Sequence, residues 1–217
     1  MRLLVPLYEN PADRPEAWRR LFLAAPRLYG VVLNPASGVG TAPDPAFVDI
    51  AARLRAAGVR LLGYADTAYG ARRHADVLAE LDRYRAWYGT DGAFLDQAAG
   101  STAELPEYAR LAALARRRGV RTIVFNHGTH PEYGYTEHAD LLVTFEGDWT
   151  SYLTARSPHW TRRVPPGRLC HLVYGVPAGQ ADRVSALAEE RGAGVCCAVP
   201  GGLPHPWDNL PEQLETA

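Results

Sequence analysis

The stretch "RLLGYADTAYGARRHADVLAELDRYRAWYGTDGAFLDQ", residues 60–97, holds one repeat of the architecture. Residues 60–66 form a short apolar run that ends in an acid. Residues 72–89 carry a helical pattern that stops on Gly89, a residue suited to the left-handed position after a helix. A second apolar run, 92–96, ends on Asp96 beside Gln97. Strand, helix and strand in succession imply parallel pairing through a crossover.

Working outward, the same alternation fills the chain. Apolar runs predict strands at 2–8, 28–34, 60–66, 92–96, 121–126, 141–146, 168–175 and 194–199. Helical patterns lie between them, at 15–25, 44–58, 72–89, 102–119 and 180–192, with a shorter one at 148–156. Asp44 and Pro45 open the second helix as cap and first-turn residue, and Gly58 closes it. The connection after the fifth strand, "HGTHPEYGYTEHAD", is short and marked by Gly and Pro, so its helix is expected to be degenerate. Eight units within 217 residues predict an α/β fold, a compact single-domain (β/α)8 barrel of the TIM type over 1–217. The tail, about 201–217, is expected to pack over one end. A doubly wound open sheet is the alternative. Against it, "YENPADRP" rather than a G-x-G-x-x-G follows the first strand, and "GVG" at 38–40 lacks the third glycine.

Composition narrows the function. A net charge of -1 gives no general attraction to nucleic acid or to anionic membranes. No apolar run approaches a bilayer-spanning length. The opening "MRLLVPLYENP" turns polar too soon for a leader, which leaves a cytoplasmic location or a leader outside this chain. Cys170, Cys196 and Cys197 are odd in number, and two are adjacent, so they read as buried apolar thiols rather than a disulfide framework. All 23 basic residues are arginine; without lysine, neither a Schiff-base aldolase nor a Walker-type phosphate loop is possible. His127, His130 and His138 fall at irregular spacing in a loop, and His171 lies within a strand. No metal and no cofactor is expected, and the chain is expected to be a monomer.

In such a barrel the chemistry sits at the C-terminal strand ends. Those ends carry Tyr8, Asn34, Tyr64, Asp66, Asp96, Gln97, Asn126, Glu146 and Tyr174, with Trp149 just beyond. Asp96 and Glu146 each close an apolar strand, two strands apart around the ring. For either acid alone, a helix cap or an ion pair with an arginine explains it as well. Together they match what glycoside hydrolysis requires, one acid to protonate the leaving oxygen and one to attack or to activate water. The tyrosines and Trp149 offer faces for sugar rings. Asn34, Gln97 and Asn126 offer hydrogen bonds to hydroxyls, and Asp66 an acid at the cleft. Pleat alternation would turn Gln97 away from Asp96 unless the strand has already ended.

The motifs "NPASGVG", "GYADTAYGARRHADVLAELDRYRAWY", "DGAFLDQ", "FNHGTHP", "ADLLVTFE" and "HPWDNLP" resemble, in order and over almost the whole chain, the spherulin-4-like proteins. The resemblance implies a (β/α)8 glycoside hydrolase acting on α-1,4-linked galactosamine or N-acetylgalactosamine polymers of microbial exopolysaccharide. It implies Asp96 as nucleophile and Glu146 as general acid/base, with retention at the anomeric carbon. It also implies export. The chain departs from the family's pattern in carrying Gln97 where an acid is common, "NHG" at 126–128 and "GVCCAVPGG" at its last strand. Two other readings arise from the residues: a carbohydrate-binding or spore-associated barrel without turnover, and a metabolic barrel enzyme on a phosphorylated small molecule.

Overall fold

The computed structural model describes residues 1–214. Eight parallel strands close into a barrel in sequence order: β1 (Arg2–Pro6), β2 (Leu28–Leu33), β3 (Leu61–Asp66), β4 (Gly92–Asp96), β5 (Thr122–Asn126), β6 (Leu141–Asp148), β7 (Leu169–Tyr174) and β8 (Val195–Ala198). Around them run α1 (Pro15–Leu23), α2 (Pro45–Ala56), α3 (His74–Tyr88), α4 (Leu105–Arg117), α5 (Trp149–Thr154) and α6 (Ala181–Glu190). The expected barrel is the observed one. The degenerate connection after β5 is a single 3-10 turn, Tyr133–Glu137.

Local chemistry accounts for the helix ends. The Asp44 carboxylate accepts from the Ala46 and Phe47 amides at 2.8 and 3.4 Å, a cap that contributes about 1 kcal/mol. Gly89 closes α3 at φ +65°. Gly63 lets α3 approach β3: a Cβ there would stand 2.6 Å from the Tyr84 ring.

Alternation along each strand divides the core. Leu4, Val32, Leu62, Phe94, Val124, Cys170, Leu172 and Cys197 fill the barrel's inside. The opposite residues pack outward against the helices, in two clusters centred on α1–α4 and on α5–α6. β6 breaks this rule once. Its pairing with β7 steps from Val143–Cys170 to Phe145–His171, so Thr144 is bulged out of register. Val143 faces the interior, whereas Phe145 packs with the outer cluster and Glu146 pairs with inward-facing Leu172. An extra residue exchanges the two faces of a strand beyond it. The bulge therefore turns Glu146 into the barrel mouth.

The tail crosses that mouth. Tyr8 donates its amide to the Trp207 carbonyl at 3.1 Å, and Gly175 donates to Gly201 at 2.6 Å. The expected helix or loose end of the tail reaches residues 215–217, which lie outside the described residues.

Candidate active site

Three adjacent strands deliver the central group. Asp96 ends β4, Asn126 ends β5, and Glu146 follows the bulge in β6. Asn126 Nδ2 donates to Asp96 Oδ1 at 2.6 Å and to Glu146 Oε2 at 2.5 Å. The Gly128 amide donates to Asn126 Oδ1 at 3.1 Å, which fixes the side chain with its NH2 toward the acids. One nitrogen thus holds both carboxylates, and their bridged oxygens lie within the total of the two bonds, about 5 Å. Retaining glycosidases space their pair at roughly 5–5.5 Å and inverting ones at roughly 6.5–9.5 Å.

The two acids have different company. Asp96 accepts from the Tyr64 hydroxyl at 2.8 Å, from Asn126 and from the Gln97 amide. Burial raises its pKa above the ordinary value, and these three donors oppose the rise. Glu146 is raised by burial and by the Asp96 charge, opposed by Asn126 and by the Trp207 indole, which donates to Oε1 at 3.2 Å. More donors serve the ionised form of Asp96, and its charge in turn favours a protonated Glu146.

Of the remaining sequence-predicted residues, Tyr8, Tyr64 and Tyr174 meet at this mouth. Tyr8 packs edge-on to Tyr64, with centroids 6.1 Å apart, and its hydroxyl bonds to Asn34. Burial and the charges of Asp96 and Glu146 raise the Tyr8 pKa. Tyr174 packs edge-on to Trp207 at 6.2 Å. Asn34 also holds its own loop, accepting from the Gly38 amide at 2.6 Å. Asp66 pairs in register with Asp96 but spends an oxygen on the Ala68 amide at 2.6 Å, capping a turn.

Among the described residues, two of the expected side chains make no hydrogen bond to the acids, and Gln97 reaches Asp96 through its backbone amide. Trp149 stands outside the barrel, against the cluster of Tyr152, Val173 and Val184, with Arg183 over its ring. The bulge explains this, because it sends Phe145 and the start of α5 to the outer layer while Glu146 turns in. Gln97 lies just past the strand at φ +47°, in a turn whose carbonyl accepts from the Tyr69 amide and the Thr67 hydroxyl. The strand has ended, so pleat alternation does not place it.

Trp207 is the residue that strand-end reading missed. It comes from the tail, 61 positions from Glu146, is buried, and completes the pocket around that acid. The motif "HPWDNLP" was its only signal in the sequence. His171 proves a satisfied core histidine, bonded through Nδ1 to the Tyr152 hydroxyl at 2.8 Å and pushed down to about 3 by burial. The three cysteines are buried and free.

Trp207→Phe tests the indole contact. It removes a donor that favours ionised Glu146, so the Glu146 pKa rises. The basic limb of the kcat/KM pH profile is expected to move up by roughly a unit, with the acidic limb unmoved. An unchanged basic limb would show that the indole merely fills space.

Comparisons with known proteins bear on the family and the barrel fold. The model of the family described as Spherulin4, spherulation-specific family 4, matches residues 2–216. Spherulin-4 of Physarum polycephalum is 35% identical over 170 residues, 76% of this chain and 50% of that protein. The chain thus spans about half the length of that curated relative. The crystal structure of Aspergillus clavatus Sph3 in complex with GalNAc superposes with a TM-score of 0.84 at 24% identity, covering 99% of this chain and 94% of that one. The Bacillus cereus spore cortex-lytic enzyme SleL shares the barrel more distantly, with a TM-score of 0.61 at 11% identity over 95% and 72% of the two chains.

Proposed function

This chain belongs to spherulation-specific family 4, and from that premise we propose that it is a retaining glycoside hydrolase of α-1,4-linked galactosamine or N-acetylgalactosamine in microbial exopolysaccharide. One observation carries the reading: a single amide holds two carboxylates with their bridged oxygens no more than about 5 Å apart, at a barrel mouth lined by tyrosines and a tryptophan. The GalNAc bound to Sph3 supports an amino sugar as the ligand class.

The reaction uses the two acids in turn. Protonated Glu146 gives its proton to the glycosidic oxygen as that bond breaks. An Asp96 oxygen attacks the anomeric carbon and forms a glycosyl ester. Glu146, now a carboxylate, takes a proton from water, whose oxygen attacks the same carbon and releases Asp96. In an α-linked sugar the 2-acetamido group lies on the leaving-group face, so it cannot attack from behind, and retention requires a nucleophile from the protein. Asp96 supplies it.

A phosphate-using barrel enzyme would hold its anion on amides after the seventh and eighth strands. Here the Gly179 amide before α6 is taken by the Glu212 carboxylate, at 2.9 and 3.0 Å. That occupied position disfavours the phosphorylated-substrate reading.

The test is hydrolysis of defined α-1,4-galactosamine and N-acetylgalactosamine oligomers with proton NMR of the products. The α-anomer is expected as the first product. A β-anomer would mean inversion with Asp96 acting on water, and binding without any reducing-end release would make the protein a lectin-like barrel.

A further inference from the structure

Among the described residues, four that are not glycine hold a left-handed backbone, and three of these stand together on the rim of the mouth. Ala68 and Tyr69 follow β3 at φ +46° and +52°, and Gln97 follows β4 at φ +47°. For a residue as bulky as tyrosine this conformation is strained, and strain of this kind gathers at ligand sites. A turn that only had to reverse the chain would be made at lower cost by glycine, which stands next in line as Gly70 at φ +90°. The turn alone does not account for a tyrosine at 69.

The two turns are locked to each other and to Asp96. The Thr67 amide donates to the Asp96 carbonyl at 2.9 Å, and the Tyr69 amide to the Gln97 carbonyl at 2.8 Å. The Thr67 hydroxyl donates to the same two carbonyls, at 2.9 and 2.8 Å. Arg72 closes the turn, donating to the Asp66 carbonyl at 2.9 Å and to buried Glu80 at 2.6 Å. The Tyr69 backbone is thus held at a fixed place beside Asp96, yet the residue is 64% exposed. Among the described residues its ring packs on no other ring and its hydroxyl makes no hydrogen bond. The half-buried Gln97 side chain makes no hydrogen bond to the protein either. A rigid loop backbone that carries unengaged side chains beside a site is the arrangement of a binding rim, not of a core.

We propose that Tyr69 is the platform of a further subsite, which seats a sugar ring adjoining the one that Asp96 attacks, with the Gln97 amide at its edge. The proposal rests on the hydrolase reading for its class of sugar and extends it to a second ring of the polymer. The chemistry matches. A galacto-configured ring carries its 4-hydroxyl axial, so the C–H bonds of C3, C4 and C5 gather on the opposite face and present an apolar surface to an aromatic ring. A side-chain amide offers both a donor and an acceptor to hydroxyls at the ring's edge. Because the turn is bonded to the Asp96 carbonyl, a ring seated on Tyr69 also fixes the neighbouring glycosidic bond against the Asp96 carboxylate. Binding energy from a sugar that does not react is then used to orient the one that does.

Titration of the full chain with N-acetylgalactosamine and with its α-1,4-linked tetramer tests this, in an Asp96→Asn background so that nothing is cleaved. Tyr69→Ala and Tyr69→Gly are each expected to weaken tetramer binding by about tenfold and to leave the monosaccharide unaffected. Tyr69→Phe keeps the ring and is expected to restore the affinity. Gln97→Ala is expected to cost the tetramer about fivefold. Tyr69→Gly is also expected to melt at or above its parent, because glycine adopts φ +52° without strain. Unchanged tetramer affinity in Tyr69→Ala overturns the proposal, as does an equal loss for the monosaccharide, which would place the ring at the cleaved sugar. A glycine variant that melts several degrees lower would show that the ring packs for stability, and overturns it too. Unchanged affinity in Gln97→Ala ends that residue's part. Tetramer bound through Tyr69 but never cleaved by the wild-type protein removes the hydrolase reading and leaves the platform standing, whereas no binding of either sugar ends both.

Discussion

Asp96→Asn and Glu146→Gln are each expected to lower kcat/KM on galactosamine oligomers by about a thousandfold or more, with both variants folded and melting at least as high as the wild type at neutral pH. The loss comes from the chemistry. An amide at 96 cannot form the glycosyl ester, and an amide at 146 has no proton to give the leaving oxygen. The melting behaviour comes from burial. Both folded-state pKa values are raised, with burial the leading cause in each. A raised folded value means that the native state holds its proton more tightly than the unfolded chain does. Such a group stabilises the fold below its ordinary value near pH 4 and loses that stability as pH climbs toward the raised value. Neutral amides escape this loss. The melting-temperature advantage of each variant over wild type is therefore expected to grow by a few degrees between pH 4 and pH 8 and to vanish at the acid end. Calorimetry across that range, beside the kinetics, checks both halves. Near wild-type turnover in either variant removes that residue from the mechanism, and a variant that melts far lower at neutral pH would show its carboxylate to be structural.

Asn126→Ala produces the second large effect, a loss of about a hundredfold in kcat/KM at the optimum together with an upward move of both limbs of the pH profile. Asn126 favours the ionised form of both acids. Its removal raises the pKa of the nucleophile, which sets the acidic limb, and that of the acid, which sets the basic limb. It also frees two side chains that one nitrogen had held at reacting distance, and misplacement of that kind is costly in rate. The sequence-based expectation for Asn126 was a hydrogen bond to a substrate hydroxyl. A residue with that role alone would raise KM and leave both limbs in place, so the pH profile separates the two. Trp207→Phe provides the contrast, because it is expected to move the basic limb alone.

Much of this protein was legible as a pattern. Eight apolar runs with helices between them predicted the closed barrel, and each observed strand lies within two residues of its expected bounds. Local signals were equally readable where they act locally, as in the Asp44 cap and the Gly89 stop. Asp96 and Asn126 were legible for the same reason: each stands two residues beyond an inward-facing core residue, Phe94 and Val124, so alternation delivers both to the mouth.

Glu146 was found by its place at a strand end, but its orientation was not readable. Counted by twos from Leu141 and Val143, it falls on the outer face, and Phe145 would have been the inward residue. Only the bulge at Thr144, set by pairing with β7, reverses this. The same reversal removed Trp149 from the cleft, although it lies three residues from Glu146. Gln97 escaped the period-two rule because its backbone had already turned left-handed. Trp207 belonged to no strand end, and nothing local ties it to an acid 61 positions away.

Periodicity and capping are short-range, fixed by the steric and hydrogen-bonding needs of a few neighbouring residues, and they determined the elements, their order and the two acids. The inward turn of Glu146, the amide bridging it to Asp96 and the indole closing over it depend on strand register and on a tail folded across the mouth. Those contacts form only when distant segments bury their apolar faces against one another, and the tertiary structure alone decided them.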